Sequence, residues 1–443
     1  MIHPTESAGD AAEKGVGVYP WAVTLILSAC YLVATWDRVV IVLVIDPIKA
    51  DLGLTDVEIS LALGMAFAIL CAPLGLLLGR LADSASRRNV LATGMMIWGL
   101  ATVACGLARN FWQLLFARVA VGTGEGALAP CSYSIIADYF PAKGLARPVS
   151  LVFMGAILGP GLGLVFGAEL VGIADRVGPM EVPFYGELAR WQLVLIGSAL
   201  PGLLLAAIVW MFVREPVRKF RENAVDSQAA ASFRQVLDQF RRNWRIYATL
   251  FLGSGALSLY FNALLTWAPS FFIRVHGWSA QQTGMWLGMI IATCGSSGAL
   301  FGGWLAAYLD RRGRSDAMVL TMLLTAAAAA LPAVAATIVN DDVLSMTLIG
   351  AVVFAVMAFF AVPPAAIQLA TPNRMRGQVS ALYIIMHNLV GIGTGPVLVA
   401  LLNDVVFQNG ARVGHSLAAL AAIAAPVALA VLGWGRRHYR LVY

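Results

Sequence analysis

The sequence predicts an all-α integral membrane protein with twelve transmembrane helices, arranged as two sets of six, and both termini cytoplasmic. Three observations lead there. Of 443 residues, 60% are hydrophobic and 12% charged, against about 25% charged in soluble domains. Twelve apolar runs are long enough, at roughly 17 to 25 residues, to cross a bilayer. The thirty Lys and Arg residues are unevenly placed, with twenty-two in the tails and even-numbered loops, six on the other side, and Arg38 and Arg118 inside spans. That asymmetry is expected when basic loops stay in the cytoplasm.

The expected spans are 21–45, 57–79, 89–108, 112–136, 149–171, 191–213, 246–272, 281–307, 317–338, 344–367, 378–402 and 415–434. The first twenty residues hold acids and the single Lys14, so they lack the positive region of a signal peptide and are taken as a cytoplasmic tail, with a true span following. Residues 21–213 form the first six-helix bundle, 214–245 a charged cytoplasmic linker, 246–434 the second bundle and 435–443 a cytoplasmic tail. Within the linker, Phe233, Val236, Leu237 and Phe240 recur at helical spacing among Arg and Asp, the pattern of an amphipathic helix lying on the membrane surface. The net charge of +6 is therefore read as basic loops facing a membrane, with no nucleic-acid partner.

Several enzyme classes are disfavoured. The cysteines Cys30, Cys71, Cys105, Cys131 and Cys294 stand singly inside apolar runs, without metal or redox spacing. Four of the five histidines lie in the tail or near span ends, so no metal is expected. No GxGxxG or Walker loop is present. The chain is read as not an enzyme and without a cofactor, a proton gradient being its energy source.

The stretch Arg118 to Pro130, RVAVGTGEGALAP, puts Arg118 and Glu125 into one apolar helix. Seven residues at roughly 100° each return to nearly the same face. A charge at bilayer depth costs about 2.5 to 3.5 kcal/mol even on the lenient insertion scale, so that face must meet a partner or a wet cavity. Asp37 and Arg38 of the first span are the expected partners, the four sharing one aqueous chamber. A carboxylate beside an arginine stays ionised. An anion that occupies Arg38 or Arg118 leaves Asp37 or Glu125 to take a proton, and substrate and proton become linked. Asp37 and Glu125 are thus the expected proton-coupling residues, with Arg38 and Arg118 as substrate-binding residues. The alternative is an ion-pair network that only ties helices together.

The halves echo one another. Gly75 and Gly302, Asp83 and Asp310, and Arg87 and Arg314 are each 227 residues apart. Around them stand GRLADSASRR, Gly79 to Arg88, and GGWLAAYLDRRGR, Gly302 to Arg314. Here the chain resembles the major facilitator superfamily, whose loop signature is matched by Gly79, Leu81, Asp83, Arg87 and Arg88, with Ser86 where glycine is usual. The resemblance spans Trp21 to Trp434 and implies two six-helix bundles around a central cavity that opens alternately to each side. It makes Gly79, Asp83, Arg87, Arg88, Asp138, Asp310 and Arg314 candidate gating residues. GAILGPGLG, Gly155 to Gly163, is close to a further superfamily signature. Gly155, Gly159, Pro160 and Gly163 are expected to pack helices.

TWDRVV (Thr35 to Val40), RVAVGTGEG (Arg118 to Gly126) and SIIADYF (Ser134 to Phe140) together look like the Spinster family of lipid transporters, with Asp37, Arg38, Arg118, Gly122, Gly124, Glu125 and Asp138 in the family's positions. Trp36 stands where a tyrosine is expected and Gly126 where an alanine is. In the second half, Tyr260, Asn262, Tyr383 and His387 are polar or amphipathic groups amid apolar residues, and are further substrate-binding candidates. The expectation is a monomeric secondary active transporter in the cell (inner) membrane that moves an amphipathic lipid or lipid-like organic anion with proton coupling. The alternative is a proton symporter of a small organic anion such as a sugar acid.

Overall fold

A computed structural model describes residues 17–66, 68–69, 78, 80–82, 84–141, 144–183, 186–218 and 233–439. Gly79 and Asp83, two of the expected gating residues, lie outside them, as does Gly75.

The first crossing is compound. Helix α1 (Val18–Val40) tightens into a 3₁₀ turn at Ile41–Val44 and resumes as α2 (Ile45–Leu52). Gly53, at φ +64°, ends it in the left-handed conformation open to a residue without a side chain. Helix α3 (Asp56–Ser60) starts on a reciprocal cap: Glu58 N–H donates to Thr55 Oγ1, and Thr55 N–H to Glu58 Oε2. It widens into a π turn at Leu61–Met65. Helix α4 (Arg87–Gly106) is capped by Ser86, whose hydroxyl accepts from Asn89 N–H. That capping role accounts for a serine at this position.

Helix α5 (Phe111–Glu125) stops at Gly126 and Ala127, and α6 (Leu128–Tyr139) continues the crossing. Then come α7 (Ala146–Val177) and α8 (Arg190–Phe212). The second half begins with α9 (Phe233–Arg242) and α10 (Trp244–His276). It continues through α11 (Ala280–Arg311), α12 (Ala317–Ala335), α13 (Asp342–Phe360) and α14 (Pro363–Ala370). Helix α15 (Arg376–Met386) opens into a π segment, His387–Thr394, before α16 (Gly395–Leu401) and a second π turn, Leu402–Phe407. Helix α17 (Val413–Tyr439) closes the fold.

Ten helical stretches among the described residues are long and apolar enough to cross a membrane. Of the twelve expected runs, 57–79 passes out of the described residues, and 112–136 is broken at Gly126 into pieces of 15 and 12 residues. The helices overrun several expected ends. Helices α7, α10 and α11, with 32 or 33 residues, extend about 48 Å at 1.5 Å per residue, beyond a hydrocarbon layer of about 30 Å. One departure from all-α is a two-stranded antiparallel hairpin, β1 (Met180–Val182) with β2 (Gly186–Leu188), between α7 and α8.

Packing within the first half runs through α1 on α7, α4 on α8 and α4 on α5. In the second half α10 packs on α17, and α13 on α11 and α12. The halves meet along α7 against α11, and along α3 with its π turn against α16 and the His387–Thr394 segment. Small residues allow both approaches. A side chain at Gly161 would strike the Ala292 backbone, one at Gly288 the Gly161 carbonyl, and one at Gly64 the Ile392 carbonyl.

Candidate functional site

Between the halves lies a cavity of about 170 Å³. Its first-half wall is made by Thr35, Arg38 and Val39 of α1, Val42, Gly64, Arg118 and Val121 of α5 and Pro160 of α7; Asn262, Leu265, Thr266 and Ile392 face them. Two guanidiniums, an amide and two hydroxyls therefore border an otherwise apolar space.

Arg38 is the more open of the two cations, its side chain 39% exposed. Its Nε donates to Glu125 Oε2 at 2.7 Å, and a terminal nitrogen reaches the same oxygen. Glu125 is 1% exposed at its side chain, and its Oε1 has no hydrogen-bond partner among the described residues. It is also the last residue of α5, where the helix dipole disfavours a negative charge. Arg38 thus opposes both burial and dipole. Gly124 sets this height on α5, since a side chain there would strike the backbone of Gly94 and Trp98 on α4.

Arg118, 6% exposed, lies against the Cys105 thiol and faces the cavity. Glu125 lies within electrostatic reach of Arg118 and Asp37 as well as Arg38. Yet among the described residues no carboxylate comes within 4.0 Å of Arg118. The Arg38–Glu125 pair and a second cation without an acid are what the cavity presents.

Asp37 corrects the expectation of four charges in one chamber. It is 2% exposed and does not line the cavity. Its Oδ2 accepts from Trp98 Nε1–H at 2.9 Å and the Thr102 hydroxyl at 2.8 Å, and its Oδ1 from the Ser198 hydroxyl at 3.3 Å. Three neutral donors on α4 and α8 solvate it in place of a cation.

Tyr260, expected to bind substrate, donates its hydroxyl to the Ala333 carbonyl on α12 and is absent from the cavity wall. Tyr383 is buried, edge-on to Phe251 with centroids 5.6 Å apart. His387, at the start of its π segment, pairs through Nδ1 with the Ser258 hydroxyl at 3.0 Å. Asn262 Nδ2 donates to the Ser258 carbonyl, so Ser258 joins His387 to the cavity-lining Asn262. Asn262 alone of these four borders the cavity.

The expected helix-packing residues divide between two neighbours. Side chains at Gly155, Gly159 and Gly163 would each strike α1, at Ser28, at Thr35 and Leu32, and at Trp36. Pro160, one step round the helix, borders the cavity.

At the end where α1 starts and α17 stops, Arg87 is buried and donates through Nε to Glu215 Oε1 at 2.8 Å, through Nη1 to Asp138 and the Ser134 hydroxyl, and through Nη2 to the Pro216 carbonyl. Burial alone would raise the Glu215 carboxyl, but the Arg88 backbone N–H, Arg87 and the Ser86 hydroxyl hold it below the usual carboxylate range. Arg88's side chain turns to Asn89. Arg314 pairs with Asp316 at 3.3 Å, and Arg436 joins the same carboxylate. Asp310 is exposed and makes no ion pair among the described residues. None of these pairs joins the two halves.

The opposite end is tied across the halves. Arg274 of α10 donates to Asp46 Oδ1 from Nε at 2.8 Å and Nη2 at 2.5 Å, and to Asp56 at 3.0 and 3.1 Å. Lys49 also reaches Asp56, Asn403 Nδ2 donates to Asp56 Oδ2 at 3.0 Å, and Val57 N–H to Asp404. Burial by itself would raise the Asp56 carboxyl; Arg274 and Lys49 hold it below its ordinary value. Sequence reasoning missed this latch. The available signal was that Lys49 and Arg274 are two of only six basic residues on that side.

The family model of the major facilitator superfamily matches residues 27–396. An MFS-type efflux pump of Mycolicibacterium smegmatis is 25% identical over 385 residues, 87% of this chain and 84% of the pump. Protein spinster homolog 3 of Danio rerio is 28% identical over 200 residues, 45% of this chain and 37% of that protein. In fold, the chain resembles a crystal structure of a bacterial homolog to the human lysosomal transporter Spinster, inward-facing and unoccupied, with a TM-score of 0.75 at 23% identity over 96% of this chain and 97% of that one.

Proposed function

The chain belongs to the major facilitator superfamily of secondary transporters, and from that premise we propose that it moves an amphipathic organic anion, of the lysolipid or sphingolipid-phosphate kind, by alternating access coupled to protons. In this reading twelve helices cross the cell (inner) membrane, both termini are cytoplasmic, and the latched end faces outward. The protein works as a monomer. The observation that carries the reading is the pairing of Arg38 with Glu125 beside Arg118, a cavity cation with no acid within 4.0 Å among the described residues.

An anionic headgroup meets Arg118 first, because no carboxylate among the described residues lies within 4.0 Å of it. Drawing Arg38 as well removes the cation that keeps Glu125 ionised. Glu125 Oε1, buried with no donor, is then the atom that takes the proton, relieving a charge that has lost its partner. Headgroup and proton occupy the cavity together, or Arg38 and Glu125 occupy each other. Val39, Val42, Val121, Leu265 and Ile392 offer the apolar tail a wall free of hydrogen-bonding groups.

The cavity volume supports a second reading. At about 170 Å³ it is smaller than the roughly 300–1,000 Å³ typical of drug-sized ligand sites, and a small carboxylate fits it without further opening. Equilibrium binding to purified protein distinguishes the two, with a lysophosphatidate and a sugar acid as probes. The lipid reading expects the lysophosphatidate to bind at least tenfold tighter, and Arg118→Ala to weaken it by roughly tenfold or more, the usual worth of a charged hydrogen bond. Tighter binding of the sugar acid selects the second reading, and an Arg118→Ala variant that binds both as well as wild type overturns both.

A further inference from the structure

Helix α9 folds back on the start of α10, at the end where α17 stops. Phe240 stacks on Tyr247 with centroids 4.3 Å apart and meets Phe251 edge-on at 5.6 Å, while Val236 is fully buried beneath. Tyr247 is fixed in turn by its hydroxyl, which donates to the Ala370 carbonyl at 3.1 Å. These contacts make α9 a fixed shelf.

Between shelf and helix runs a groove of about 400 Å³, lined by Phe240, Trp244, Tyr247, Phe251 and Leu252 with Arg241 at its rim. Its interior is aromatic and aliphatic. Leu252 and Trp244 are also more than half exposed on the outer side of α10, so the groove runs on into the wall that faces hydrocarbon. Arg241 lines the groove and Arg245 lies over the Trp244 ring, 5.6 Å from its centroid; both are exposed, as are Arg234 and Arg242 on the same helix α9 as Arg241. Asp238, 3.8 Å from Arg241, is the one acid among the described residues paired with any of them. Among the described residues the groove's flank therefore carries an excess of positive charge.

We propose that this groove is a binding site for one anionic glycerophospholipid of the adjoining leaflet, an acyl chain lying against Trp244, Phe251 and Leu252 and the phosphate held by Arg241, Arg242 and Arg245. The occupant follows from the two chemistries side by side. A soluble phosphate has no use for the aromatic floor, and an acidic protein segment would have to insert an apolar face where the wall already turns toward lipid. The volume suits one chain, and the arginines stand where a headgroup would. This site is separate from the central cavity and uses none of its residues.

The test is native mass spectrometry of the full-length protein released from nanodiscs of equal phosphatidylglycerol and phosphatidylcholine. Wild type is expected to retain phosphatidylglycerol over phosphatidylcholine by roughly tenfold, as three surface cations at about 1 kcal/mol each allow after screening. R241Q/R242Q/R245Q should bring that ratio to near one. Ala248→Trp, which fills the groove floor and leaves every charge in place, should remove the retained lipid as well. Equal retention of the two lipids by wild type, or a preference that survives either variant, overturns the site.

Discussion

Arg87 and Arg118 are both buried cations, and their surroundings predict opposite costs of removal. Arg87 holds Asp138, itself buried, together with Glu215; Arg118 has no acid within ion-pair distance among the described residues. Stripping one partner from a buried pair typically costs about 3–5 kcal/mol. Arg87→Ala should therefore melt well below wild type in detergent, whereas Arg118→Ala should melt close to it and lose anion binding. Equal melting of the two variants would contradict this assignment of structural and functional charge. Arg118 and Glu125 stood out in the sequence because charge in an apolar run has to be explained. Arg38 was legible as the partner of Glu125; that Asp37 would turn elsewhere was not. Asp37 and Arg38 are adjacent, but one helical step turns a side chain by roughly 100°, sending Arg38 to the cavity and Asp37 toward α4 and α8. Whether a buried acid finds a cation or three neutral donors depends on which helices pack there, and residue order along one helix does not encode that.

At the scale of elements, the latch formed by the start of α3, the end of α10 and the Leu402–Phe407 turn sets which end is closed. Asp56, held below its ordinary value by Arg274 and Lys49, is ionised through the neutral and mildly acidic range. The sign follows from linkage: a lowered folded-state value means the latch contributes fully above the unfolded carboxylate value, about pH 4, and is lost as pH falls below it. A cysteine introduced at Val42, buried on the cavity wall four residues before Asp46, should react slowly at pH 7 with an impermeant maleimide added on the latched side. Arg274→Ala should raise the rate several-fold, since it removes both carboxylates' shared partner. An unchanged rate would mean that Arg274 does not hold the end closed. The helices around this latch were legible from apolar length. The latch was not, because Arg274 and Asp46 are 228 positions apart. The π segments were not either, since their spacing differs from 3.6 by less than a short apolar run reveals.

At the scale of the molecule, the two halves touch along α7–α11 and along α3 with the π segment after α15, where small residues let backbones meet. Their other cross-links cluster at the latched end. Such a body can tilt about the cavity if the latch breaks and the opposite mouth closes, the alternating access expected of the superfamily. That the fold is all-helical with many membrane-length helices was readable from hydropathy because a bilayer admits few solutions. The cavity's small size was not, since volume is set by how the halves sit and no single span carries that information. The central claim is that Glu125 is the proton-carrying partner of Arg38, so that cargo and proton share one site. The most direct measurement is uptake of a fluorescent lysophosphatidate into proteoliposomes at several imposed proton gradients, for wild type and Glu125→Gln. The account predicts that wild-type uptake changes with the gradient, and that Glu125→Gln still exchanges lipid at equilibrium but responds to no gradient. A Glu125→Gln variant whose uptake follows the proton gradient as wild type does would contradict it.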